Sequence, residues 1–144
     1  MKLGQLVQLM RELVSKIEDL EGYLFLDRFG EGRQQLLKKI SKYDDPSEAQ
    51  RWINIVLIDQ AITAVIGDEW EMSDAEINEL LAVFEQAWVY QIKASFPEAE
   101  FKILRIIDDE YGDVGLRLTS EKLDANRNRD GGAPASRTDY GNRE

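Results

Sequence analysis

Carboxylates are the only chemically versatile side chains that this sequence carries in quantity. Asp68, Glu69, Glu71, Asp74, Glu76 and Glu79 crowd one stretch with Trp70 among them, and Asp108, Asp109, Glu110 and Asp113 form a second acidic run. Paired carboxylates can serve as general acid and base, or as oxygen ligands for a hard cation. Neither run has the spacing of a calcium loop. Asp68-Glu69-Trp70-Glu71 puts tryptophan where an oxygen ligand belongs, and the second run has Asp113 where an EF-hand requires glycine. Asp59 is the carboxylate that stands alone. Helical spacing sets it near Ile55, Val56, Ile62 and Ile66, where desolvation would raise its pKa toward that of a general acid. An exposed edge, or a bond to Gln60 or Arg51, is the more ordinary expectation for it.

Histidine and cysteine are both absent from the 144 residues. Ser-His-Asp and Cys-His nucleophilic schemes, disulfides, thiolate metal sites and ordinary zinc sites therefore have no residues to be built from. The sequence points to no catalytic residues, no metal and no cofactor. Gly30-Glu31-Gly32-Arg33 has two glycines of a phosphate loop but neither the third nor a preceding buried strand, so it reads as a plain turn.

The net charge is −10, and its placement says more than its size. No lysine or arginine occurs between Arg51 and Lys93, while that interval holds eight carboxylates. Such a field disfavours nucleic acid and anionic membrane and steers a basic protein toward the surface. Trp70 within the acids suggests a docking patch in which a ring anchors and charges orient, against the alternative that it covers the end of a helix. Trp88-Val89-Tyr90 cannot all face one side of a helix, so at least one large ring is expected near the surface. Arg33, Lys38, Lys39 and Lys42 make one basic island, read as a solvated helix face.

These groups need elements to position them. Leu3, Leu6, Val7, Met10, Leu13, Val14, Ile17, Leu20 and Leu24 recur at helical steps and predict a long first helix whose stripe is buried in an intramolecular helix pair, with self-association into a homodimer as the alternative. Gly22, Gly30 and Gly32 then break the chain, and a second helix is expected over 33–43. Residues 45–67 predict a buried central helix, with Asp45 as N-cap, Pro46 in the first turn, Gly67 at the end, and apolar side chains all round from Trp52 to Ile66. Its polar interruptions and length exclude a membrane span. Ser73 and Glu76 form a capping box for a helix running to about Ser95, stopped by Pro97. Two strands, 101–107 and 114–119, flank the second acidic run as a hairpin, with Tyr23–Leu26 the candidate third strand.

The expected fold is thus mainly α within an α+β class: a four-helix core around the central helix with a C-terminal hairpin, in a single domain over 1–119. Residues 120–144, rich in Asn, Arg, Asp, Gly and Ser, read as a disordered tail. The amphipathic helices, followed by Phe96-Pro97-Glu98-Ala99-Glu100-Phe101 and a strand pair with its Asp108-Asp109-Glu110 turn, resemble bacterial toxin-immunity proteins over about residues 45–119. That resemblance implies a small cytoplasmic inhibitor of a basic toxin, without enzymatic activity, and it transfers no role to any single residue. A helical adaptor acting as a homo-oligomer is the alternative.

Overall fold

The apolar run at the middle of the chain is not one helix. In the computed structural model, which describes residues 2–108 and 112–123 (for Glu12 the backbone only), it divides into helix α3 (Pro46–Ile53), strand β3 (Ile55–Leu57) and helix α4 (Ile58–Ile66). Asp45 caps α3 by accepting a hydrogen bond from the Glu48 amide, and Gly67 closes α4 at φ 88°. Both helix ends thus carry the expected stop signals. The interior is broken because three β-branched or branched residues, Ile55-Val56-Leu57, pair antiparallel with Arg117-Leu116-Gly115 far along the chain. A helix and a fully buried strand carry the same all-apolar signature, and here the tertiary partner decides between them.

The first helix is also shorter than its apolar stripe. Helix α1 (Leu3–Leu13) gives way to strand β1 (Lys16–Leu20), which forms a hairpin with strand β2 (Tyr23–Asp27). The two-residue connection, Glu21 at φ 56° and Gly22 at φ 86°, has both central residues left-handed, as a tight turn matched to strand twist requires. Ile17, Leu20 and Leu24 fit the helical stripe only by coincidence of spacing. Strand β2 is buried on both faces: Leu24 and Leu26 enter the main core, whereas Phe25 faces a second cluster with Leu20, Leu36, Ile40 and Ala49. The second cluster lies under α2 (Arg33–Ile40) and α3.

Helix α5 (Asp74–Ser95) and strands β4 (Phe101–Ile107) and β5 (Val114–Ser120) are the remaining elements among the described residues. The strands do not make an isolated terminal hairpin. They belong to a three-stranded antiparallel sheet of order β3-β5-β4, and Tyr23–Asp27, rather than adding to it, pairs with β1 in a separate two-stranded sheet. Among the described residues the protein is therefore α+β, with five helices and two small sheets in place of a four-helix core. Its main core gathers Leu13, Val56, Ile58, Ile62, Leu81, Phe84, Trp88, Ile92, Leu116 and Leu118. The tail expectation falls mostly on 124–144, outside the described residues. Of its first residues, Ser120 ends β5, and the Leu123 amide donates to Gly22 O at 2.7 Å.

The two sheets are joined by side-chain amides. Asn54, fully buried between α3 and β3, accepts from Leu26 N (2.9 Å) and donates to Leu24 O (2.7 Å) and Leu118 O (3.1 Å). Gln50, one helical turn earlier, donates to Leu24 O and to Ser120 Oγ and accepts from the Ser120 amide. Replacing Asn54 by alanine strands a buried amide N–H and removes donors from two buried carbonyls, so we expect a loss of about 3 kcal/mol or more in urea unfolding. A cost below about 1 kcal/mol would show that water takes over the bridge. Gly115 supplies a second test. A Cβ there would sit 2.2 Å from Val56 O and 2.9 Å from Leu57 Cα, both backbone atoms. Gly115→Ala should therefore push β3 off the sheet, lowering stability by about 1 to 3 kcal/mol, with amide protection at Val56 and Leu57 lost first.

Candidate protein-binding surface

The first acidic run starts where α4 ends and continues into α5. Asp68, Glu69 and Glu71 are exposed in the connection, and Asp74, Glu76 and Glu79 are exposed on the first turns of α5. Part of this cluster has a local task. The Ser73 hydroxyl accepts from the Glu76 amide, while Glu76 Oε1 accepts from Ser73 N at 3.0 Å. The Ser73 amide foremost, and the Ser73 hydroxyl after it, hold the Glu76 carboxyl below its usual range. Asp74 and Glu76 also sit at the positive end of the helix dipole.

Trp70 is half-buried. It packs against the main core, and its indole Nε1 donates to Thr63 Oγ1 at 3.0 Å, so the ring covers the end of α4 with only part of its surface open among the acids. More exposed aromatics lie elsewhere, Phe29, Trp52 and Tyr90 among them: Tyr90 is 80% exposed, whereas Trp88, two residues away, is wholly buried with Nε1 donating to Leu13 O at 2.9 Å.

The second acidic run precedes β5, whose first amide, that of Val114, donates to Asp59 at the start of α4. Helix α5 turns through Phe96 and Ala99 into β4, and Arg105 Nε on β4 lies 3.4 Å from Glu85 Oε1 on α5. Asp108 and Asp113 are half-buried, and Asp108 N donates to Asp113 O, with Gly112 at φ 75° closing the turn; Asp109 and Glu110 lie outside the described residues.

Asp59 is structural. Half-buried in the first turn of α4, it accepts from the Val114 amide at 3.0 Å, thereby tying the start of α4 to the start of β5 rather than bonding Gln60 or Arg51. The glycine-rich turn is likewise accounted for: Asp27 accepts from the Glu31 and Gly32 amides, the donors a phosphate would need. The basic island is partly neutralised, with Arg33 on Glu18 and Lys39 on Glu31. Asp19 and Glu98 line a small cleft of about 180 Å³ beside Phe96 and Pro97. Burial pushes the Asp19 carboxyl up, against opposing effects of Arg33 and the Gly22 amide. The cleft is smaller than the roughly 300 Å³ at which ligand pockets begin. Among the described residues no group of three or more carboxylates is placed to hold a metal ion, and no helix is long and apolar enough to cross a membrane.

Sequence reasoning missed the outer side of α1. It read the stripe as buried, yet Leu3, Leu6, Val7, Met10 and Val14 are exposed, and only Leu9 and Leu13 face the core. The signal was the width of the apolar arc, which exceeds what one neighbouring helix can cover.

The capping box makes a prediction about pH. Because the folded pKa of Glu76 is depressed, its contribution to stability is present above the unfolded pKa and is lost as pH falls through the folded one; Asp45, lowered mainly by the Ser47 hydroxyl, acts in the same direction. Asp19, with a raised pKa, works oppositely and favours the fold as it protonates. Ser73→Ala should therefore lower the melting temperature at neutral pH and flatten its decline below the ordinary carboxylate range; an unchanged slope would contradict the assignment. Comparison with known proteins found no matching family model, no matching curated protein and no matching solved structure.

Proposed function

We propose that this protein is a non-enzymatic, cytoplasmic binding module whose acidic end occludes a basic protein, most specifically an inhibitor of the immunity-protein type acting on a basic toxin domain. One observation carries the reading: Asp68, Glu69, Glu71, Asp74, Glu76 and Glu79 are all exposed, in a part of the chain with no positive charge between Arg51 and Lys93. Exposed carboxylates spread over a helix start and the connection before it suit charge steering better than proton transfer, which needs convergence on a reacting atom. The half-covered Trp70 edge adds an apolar centre to that charged rim.

The test uses a partner recovered from the source cell on the immobilised protein, with association rates then read at low and at high salt. Changing Glu69, Glu71 and Asp74 together to lysine should slow association at low salt by about tenfold or more and weaken its salt dependence, because rim charges act mainly on encounter. Reversing Arg33, Lys38 and Lys42 together should leave the rate unchanged. If the basic-island variant is the one that fails, the working surface lies elsewhere.

A further inference from the structure

Helix α1 carries two apolar faces, and only one is used. Leu9 and Leu13 pack inward, and Gln5 Nε2 donates to Val65 O on α4, fastening that side. On the other side Leu3, Val7, Met10 and Val14 succeed one another at heptad-like steps, and Leu6 widens the row; their exposures run from 75% at Leu3 to 37% at Val14. Val14 also lines a groove of about 530 Å³ between α1 and the turn that follows β2, with Arg11, Lys16, Arg28 and Phe29 among its other walls. Phe29 is 61% exposed, and Arg28 and Lys39 both stand over its ring, 5.1 and 5.3 Å from the centroid.

The charge around this face is opposite to that of the protein as a whole. In a chain of net charge −10, the groove beside the apolar row is lined by Arg11, by Lys16, which also reaches Glu18 at 3.2 Å, and by Arg28, which also donates to Ile55 O. Asp27, the carboxylate in the groove wall, is buried and occupied by the Glu31 and Gly32 amides. We infer that this face is a second docking site, independent of the acidic end, for an amphipathic helix of another protein whose apolar stripe is edged by carboxylates. Its apolar side chains pack along Val7, Met10 and Val14 and reach Phe29. Its carboxylates meet Arg11, Lys16 and Arg28, a helix-in-groove arrangement in which the basic border selects an acidic ligand.

Charge also argues against the other occupants. In an antiparallel pair of two α1 rows, centred between Leu3 and Val14, Lys2 of one copy approaches the Lys16 end of its partner, cation against cation. An anionic membrane would meet the basic border but also the field of ten excess negative charges.

The experiment titrates the full-length, isotope-labelled chain with two synthetic helical peptides that share a leucine stripe at three- and four-residue spacing. One is bordered by glutamate and the other by lysine. The glutamate peptide should shift the backbone amides of α1 and of residues 27–30, and bind at least about tenfold more tightly than the lysine peptide at low salt. Arg11→Glu combined with Lys16→Glu should abolish that preference. Met10→Ser, at an exposed position where folding is not at stake, should weaken both peptides alike. The inference is overturned if the two peptides bind equally, if shifts map away from α1, or if the charge reversal leaves the preference intact. It is equally overturned if α1 shifts appear only on self-association of the protein, or only with phosphatidylglycerol vesicles.

Discussion

Two buried amide side chains hold the two halves of this fold together. β2 and β5 approach each other, but no backbone ladder runs between them; Asn54 and Gln50 fill that place, meeting the backbone of Leu24, Leu26, Leu118 and Ser120. Each amide presents both a donor and an acceptor, which is what a gap between two strand edges requires. Because Asn54 and Gln50 are buried and their groups are mutually satisfied, the network specifies one relative placement of the sheets, where an apolar filler would tolerate several. The split of the central apolar run follows from it: Asn54 can bridge the sheets only if α3 stops there, and β3 starts at the next residue.

Helix α5 provides the second constraint. Trp88 and Gln91, one turn apart, fasten the segment that leaves α1: Trp88 donates to Leu13 O, and Gln91 donates to Ser15 O and accepts from the Ile17 amide. Helix α1 therefore ends where α5 offers its polar atoms, and the chain turns into β1. The same helix carries the acidic end at its N-terminal turns, so the spine that organises the core also orients the charged surface.

Charge is spread unevenly over the surface. Exposed carboxylates dominate around the 67–73 connection and the start of α5, whereas Arg11, Lys16, Arg28, Arg33 and Lys39 gather around the end of α1 and the β2–α2 turn, where Glu18 pairs with Lys16 and Arg33 and Glu31 pairs with Lys39. One acidic surface and one of mixed charge suit contacts of different chemistry at different faces.

Features governed by neighbours a few residues away were legible in the sequence. The extent of α5 followed from Ser73, Glu76 and Pro97, the start of α3 from Asp45 and Pro46, the strands after Pro97 from alternation and turn residues, and the acidic interval from simple reading. Trp70 as the cover of a helix end was legible too, although its partner Thr63 was not; Asp59 could not be placed that way, since what occupies it is the amide of Val114 at the start of another strand. The largest misreadings, one helix over 45–67 and another through Leu24, arose where residues were apolar enough for either helix or strand. There the choice belonged to partners far along the chain: β5 for Ile55-Val56-Leu57, and Gln91 with the Glu21-Gly22 turn for the segment after Leu13. Local signals end helices and shape turns, but an all-apolar stretch takes whichever conformation its tertiary neighbours can bury and hydrogen-bond completely.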